Sequence, residues 1–185
     1  MQPFLREFDI DNFDDIQAEL IPFVLVNYPG LYQFWNHVDQ AELFTKVPKL
    51  LMAIQTIFKQ TPLKTYLLVI PNGPSHLVEA KLGSASIHRD TSTESCRLNW
   101  PILNGTSIET RMYDTTGEPN KIQLPTGETY LTYKQEQCEQ VAAFYLTKPT
   151  LMHVHTAHGL YRASGPLPRY VLSFNFEHDV SNLLD

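Results

Sequence analysis

Three groups of residues carry side chains suited to chemistry. The first is His88-Arg89-Asp90. In a strand, residues two apart face the same way, so His88 and Asp90 would present an imidazole and a carboxylate side by side. The same tripeptide opens the protein-kinase catalytic loop, but no Asn follows at the required spacing and no glycine-rich loop precedes it. The second group is His153, His155 and His158, three of the seven histidines in the chain. His153 and His155 share a face if that stretch is extended, and His158 stands before Gly159, where a strand can bend toward a cavity. The third is Arg169, eleven residues beyond His158 in the run Pro168-Arg169-Tyr170-Val171-Leu172-Ser173-Phe174. An arginine inside an apolar strand is costly to bury unless an anion meets it. Its planar fork suits a carboxylate held through two hydrogen bonds.

Two histidines and one carboxylate can hold a non-haem Fe(II) and leave coordination positions open, as oxygen chemistry requires. A keto acid can chelate such an iron through its keto oxygen and adjacent carboxylate. Its far carboxylate then calls for a cation, which Arg169 would supply. The residues alone leave other readings open. His88 and Asp90 can be a surface turn pair, His153 or His155 can replace His158 as the distal ligand, and Arg169 can pair with a structural carboxylate such as Glu177.

The stretch from Ile87 to Phe176 resembles the catalytic core of the 2-oxoglutarate and Fe(II)-dependent oxygenases, in particular small members found in phages and bacteria. The matching pieces are Ile87-His88-Arg89-Asp90, Arg97 through Asn104 (Arg-Leu-Asn-Trp-Pro-Ile-Leu-Asn), His158-Gly159, and Pro168-Arg169 through Leu172-Ser173-Phe174. The resemblance, from Ile87 to Phe176, covers about half of the chain. The resemblance implies a double-stranded β-helix (a cupin-like jelly roll) and Fe(II) and 2-oxoglutarate as cofactors. It implies that dioxygen and an unknown organic substrate react, with release of succinate and carbon dioxide and usually with hydroxylation. By position it makes His88, Asp90 and His158 the iron ligands and Arg169 the 2-oxoglutarate anchor. Asn99 is a further candidate to touch 2-oxoglutarate, and Arg97, on its face, would meet co-substrate or substrate. One departure stands out. Many family members carry Ser or Thr two residues after the anchoring arginine, where this chain has Val171. Ser173, four residues on and on the same face, is the expected substitute.

These residues need a scaffold, and the chain reads as mainly β with N-terminal helices: one domain over 1–185, with a mostly helical buttress over 1–65 and a jelly-roll core over 66–178. Asn36 or Asp39 caps a short helix through Ala41 and Phe44. Pro48 suits a first helical turn, and Leu50, Leu51, Ile54, Ile57 and Phe58 then recur at helical spacing. Strands are expected at Leu67–Ile70, Ser84–His88, Cys96–Leu103, Ser107–Tyr113, Tyr130–Tyr133, Leu151–His155 and Arg169–Phe176. Asn104-Gly105 predicts a hairpin between two of them. Pro71 to Pro74, Gly117 to Pro119 and Pro125 to Gly127 read as turns, and Asp114–Gly127 as a lid over the site. Gln135–Leu146 fits helix or strand. Trp100, Tyr113 and Tyr161 are core residues or pocket walls.

A net charge of −6 without any basic run argues against extended nucleic-acid binding. Cys96 and Cys138 lack metal-knuckle spacing, and the N-terminus lacks the pattern of a secretory signal. No apolar run is long enough to span a membrane. The expected location is therefore the cytoplasm. Two further functions compete with an oxygenase. One is a cupin-like binding module with a structural metal or none, which has no use for a buried arginine near an open metal site. The other is a metal enzyme that works without 2-oxoglutarate.

Overall fold

The structure is a computed structural model that describes residues 4–29, 35–71, 87–123 and 129–185. Among the described residues, twelve strands form two antiparallel six-stranded sheets. The first sheet holds, in spatial order, β1 (Leu5–Glu7), β10 (Thr150–His153), β5 (Cys96–Leu103), β12 (Arg169–Asn175), β3 (Lys64–Ile70) and β2 (Trp35–His37). The second holds β7 (Asn120–Gln123), β8 (Thr129–Thr132), β4 (His88–Asp90), β11 (Ala157–Arg162), β6 (Ile108–Thr115) and β9 (Cys138–Tyr145). This is the double-stranded β-helix expected from the sequence.

The largest core does not lie between the sheets. Helices α1 (Phe13–Asn27), α2 (Gln40–Lys46) and α3 (Pro48–Phe58) pack on the outer face of the first sheet. Ile16, Leu20, Leu50 and Ile54 from the helices meet Leu98, Trp100, Leu172 and Phe174 from the strands, all essentially without solvent exposure. Every residue of β12 is therefore buried, but its two faces meet different surroundings. Tyr170, Leu172 and Phe174 join the helix-covered core. Arg169, Val171 and Ser173 turn toward the space between the sheets. The period of two along a strand places the polar side chains on one face only, and that face lines the site.

Local signals explain the helices. Asp39 caps α2 by accepting from the N–H groups of Ala41 (2.9 Å) and Glu42 (3.1 Å). Asn36, the other capping candidate, lies in β2 instead. Pro48 opens α3, where its missing N–H costs nothing. The sequence reading did not find α1. Pro22 stands inside it, and exposed Leu25 and Val26 blur its apolar stripe beside buried Phe23 and Val24. The N-terminal segment also contributes strands β1 and β2 to the first sheet, so it is not purely a helical buttress.

Other expectations need correction. The Asn104-Gly105 turn does not close a hairpin. Asn104 is left-handed (φ 57°) and a 3-10 turn at Gly105–Ser107 follows, carrying the chain from β5 in the first sheet to β6 in the second. Gly105 is required there, because a Cβ would lie 1.9 Å from the carbonyl oxygen of Leu146. The stretch 135–146 resolves as a 3-10 turn followed by the edge strand β9. Extended structure at Leu151–His155 stops at His153, and a separate strand, β11, then carries His158. The predicted turns at 72–74 and 125–127 and the start of the predicted strand at 84–86 lie outside the described residues. So does the end of the candidate lid; its described part is the end of β6, the turn at Gly117 and the edge strand β7. No helix among the described residues is long and apolar enough to cross a membrane.

Candidate active site

His88 and His158 are direct cross-strand partners in the β4–β11 pair. Such partners share a sheet face, and their ring centroids are 4.5 Å apart. Asp90, two residues after His88, points to the same face. One ligand atom from each of the three side chains lies within 4.8 Å of the others, so one ion can be reached from all of them. Asp90 and His158 are buried, and the His88 side chain is 19% exposed. His158 Nδ1 lies 2.9 Å from the backbone carbonyl oxygen of Thr156. A carbonyl only accepts, so Nδ1 carries the proton and Nε2 keeps its lone pair for a metal. The ring of His88 meets Tyr130 edge-on at 4.9 Å.

The carboxylate has a partner from the opposite sheet. Arg97 Nη1 donates to Asp90 Oδ2 at 3.0 Å, and the guanidinium carbon lies 5.1 Å from the ring centroid of Trp35. His88 Nε2 stands 3.6 Å from the other carboxylate oxygen.

The cavity between the sheets runs from this cluster to Arg169. It encloses about 600 Å³ of empty space, its open mouth included. His88, Asp90, His158, Asn99, Arg169 and Ser173 all line it. Asn99 and Ser173 are cross-strand partners in the β5–β12 pair. Arg169 is 4% exposed and forms no ion pair or hydrogen bond with any described residue, Glu177 included. Burial alone pulls its pKa down to about 10, so the guanidinium stays charged at neutral pH. Its Nε and the hydroxyl of Ser173 are buried polar atoms without a partner among the described residues. A native fold rarely leaves such atoms orphaned. A buried cation and an orphaned hydroxyl on the same strand face, both on the wall of one cavity, suit an anion with hydrogen-bonding oxygens.

The structure thus gathers all six residues that the sequence reading singled out. It leaves the alternative histidines elsewhere: His153 Nδ1 contacts the hydroxyl of Thr156, and His155 Nε2 contacts the carbonyl oxygen of Ser92. Trp100 belongs to the helix-covered core. Tyr113 and Tyr161 bond to each other through their hydroxyls (2.6 Å) on the outer face of the second sheet, and neither lines the cavity. The sequence reading missed Trp35, whose three-residue strand carries no periodic signal. It also missed the apolar lining residues Leu68, Phe144 and Leu160.

No protein-family model matches the chain, and no curated protein matches it. Among solved structures, the chain is similar to the epimerase SnoN in complex with Fe3+, alpha ketoglutarate and nogalamycin RO, at 14% identity and a TM-score of 0.55, over 100% of this chain and 85% of that one. It also matches the apo non-heme monooxygenase ThoJ (11% identity, TM-score 0.48, over 94% of this chain and 73% of that one). A further match is AviO1 from Streptomyces viridochromogenes Tue57 (9% identity, TM-score 0.47, over 94% and 89%). At this identity the likeness to SnoN is one of fold.

Proposed function

We propose that the protein is an Fe(II)- and 2-oxoglutarate-dependent dioxygenase that hydroxylates an organic substrate. The observation that carries this reading is the pairing, in one cavity, of a His-Asp-His cluster with a buried, unpaired arginine. The donor set suits the metal: two imidazoles and one carboxylate on one face leave the opposite positions open. The orphaned atoms of Arg169 and Ser173 suit the distal carboxylate of 2-oxoglutarate, which would satisfy both. A likeness of fold to an epimerase that contains iron and alpha ketoglutarate is compatible with this reading. Bound together, iron and 2-oxoglutarate would activate dioxygen, the oxidant, one oxygen atom going to oxidise 2-oxoglutarate to succinate and carbon dioxide and the other to the substrate C–H bond.

The chain's own residues have defined tasks. His88, Asp90 and His158 would hold the metal, with the Thr156 carbonyl fixing the tautomer of His158. Arg169 would neutralise the distal carboxylate, and Ser173 would donate to it where Val171 has no hydroxyl to offer. Asn99, beside Ser173, would hydrogen-bond an oxygen of the same ligand. Leu68, Phe144 and Leu160 would exclude water around its chain.

The test is anaerobic addition of Fe(II) and 2-oxoglutarate, watched for the weak visible metal-to-ligand charge-transfer band. The band is expected in wild type, absent in His158→Ala and weakened in Arg169→Leu. A folded wild-type protein without the band would sink the proposal. The binding-module reading would then take its place.

A further inference from the structure

We propose that Arg97 is a positioning residue: it reaches across the cavity from the first sheet and orients Asp90 for the metal. This rests on the metal reading above. Asp90 closes β4, a strand of three residues whose register with β11 is a single pair, His88 with His158. So short a strand holds its backbone but not the χ angles of its last side chain. The fixed contact of that carboxylate is Arg97, whose Nη1 takes Oδ2 at 3.0 Å and leaves Oδ1 on the His88 side. Arg97 is itself held. It sits on the inner face of β5, two residues from Asn99, and its guanidinium stacks against Trp35 of the edge strand β2. The relay Trp35–Arg97–Asp90 therefore crosses from the edge of one sheet to the metal face of the other.

Two effects of Arg97 oppose each other. Its charge repels an incoming divalent cation, which weakens binding. Its hydrogen bond keeps one carboxylate oxygen occupied and the other aimed at the histidines, which strengthens binding by removing the freedom that metal entry would otherwise have to freeze. The side chains of Arg97 and Asp90 are only 12% and 6% exposed, so water cannot readily replace the bond. A carboxylate deprived of it would be free to swing between rotamers. Ordering therefore outweighs repulsion, and loss of an outer partner of this kind typically costs about 10–100-fold in metal affinity.

The experiment is titration with Co(II), followed by calorimetry and by the visible d–d absorption, with no turnover involved. Wild type is expected to bind. Arg97→Gln is expected to bind about 10–100-fold more weakly with a changed d–d spectrum, and Arg97→Lys to recover part of the loss. Arg97→Gln that is folded by circular dichroism and binds Co(II) as tightly as wild type, or more tightly, with the same spectrum would overturn the proposal. If Arg97→Gln does not fold, Trp35→Leu decides, because it frees the guanidinium while keeping the ion pair. Weaker binding supports the relay, and unchanged affinity and spectrum overturn it. Failure of wild type to take up Co(II) would instead refute the metal centre itself.

Discussion

Replacing Arg169 with Met separates a ligand-binding arginine from a structural one, because the two predict opposite changes in stability. Burial lowers the Arg169 pKa from its ordinary value to about 10, with no compensating partner among the described residues. Each pH unit of that displacement is worth about 1.4 kcal/mol. The charged arginine thus opposes folding of the ligand-free protein by roughly 3 kcal/mol at neutral pH. The folded value is the lower one, so this cost is present in full below about pH 10 and fades as pH rises through the folded value toward the ordinary one. Methionine keeps most of the aliphatic stem and removes the charge, the kind of replacement that is often stabilising. For a chain of this size, 1 kcal/mol moves the melting temperature by about 2–4 °C. Metal-free Arg169→Met should therefore melt several degrees above wild type, after allowing for some lost packing. With both proteins loaded with Mn(II), adding 2-oxoglutarate at about a hundred times its dissociation constant should stabilise wild type by about 2.7 kcal/mol. It should leave Mn(II)-loaded Arg169→Met, whose metal ligands are intact, nearly unchanged, closing the gap. Scanning calorimetry of both proteins in both states reads this directly. A ligand-free Arg169→Met that melts several degrees below wild type would refute the reasoning, since it would mean that a protein group satisfies the charge.

Four further outcomes are expected. Ser173→Ala should weaken 2-oxoglutarate binding by about fivefold, the worth of one hydrogen bond near 1 kcal/mol, and Val171→Thr should strengthen it by a similar factor; calorimetric titration of the Mn(II) form measures both. Asp39→Ala should lower stability by about 1 kcal/mol through the lost cap of α2, with Co(II) affinity unchanged, as urea unfolding and the cobalt titration would show. Gly105→Ala should cost at least about 1–3 kcal/mol by forcing a methyl group into the Leu146 carbonyl; a urea midpoint equal to wild type would contradict the close approach seen there.

The candidate site was more legible than the path of the chain. His88 and Asp90 could be paired from sequence because a strand aligns alternate residues, and the structure keeps that alignment. Their partner His158 was legible by type and spacing, but not its strand, since Ala157-His158-Gly159 carries little β signal. The reading failed where long-range packing decides. Asn104-Gly105 has the local chemistry of a hairpin turn, yet β5 has better neighbours in β10 and β12, and the turn sends the chain to the other sheet. Helix α1 hid because its strength comes from burial against the sheet rather than from a clean stripe. Arg97 was visible as a neighbour of Asn99, but its partners Asp90 and Trp35 come from other strands, and no spacing within one strand encodes them.

The strand β12 shows what a local pattern can encode about a site. Its even positions, Tyr170, Leu172 and Phe174, are apolar because helices cover them. Its odd positions also escape water, so an ordinary core would make them apolar too. Instead they include Arg169 and Ser173, both with buried atoms that lack a partner. A strand buried on both faces but polar on one has paid a desolvation penalty that packing does not return. The remaining compensation is a ligand that brings its own acceptors. Burial and alternation alone thus favour an anion at this face, and its place in the same cavity as the His-Asp-His cluster is what the proposed chemistry needs.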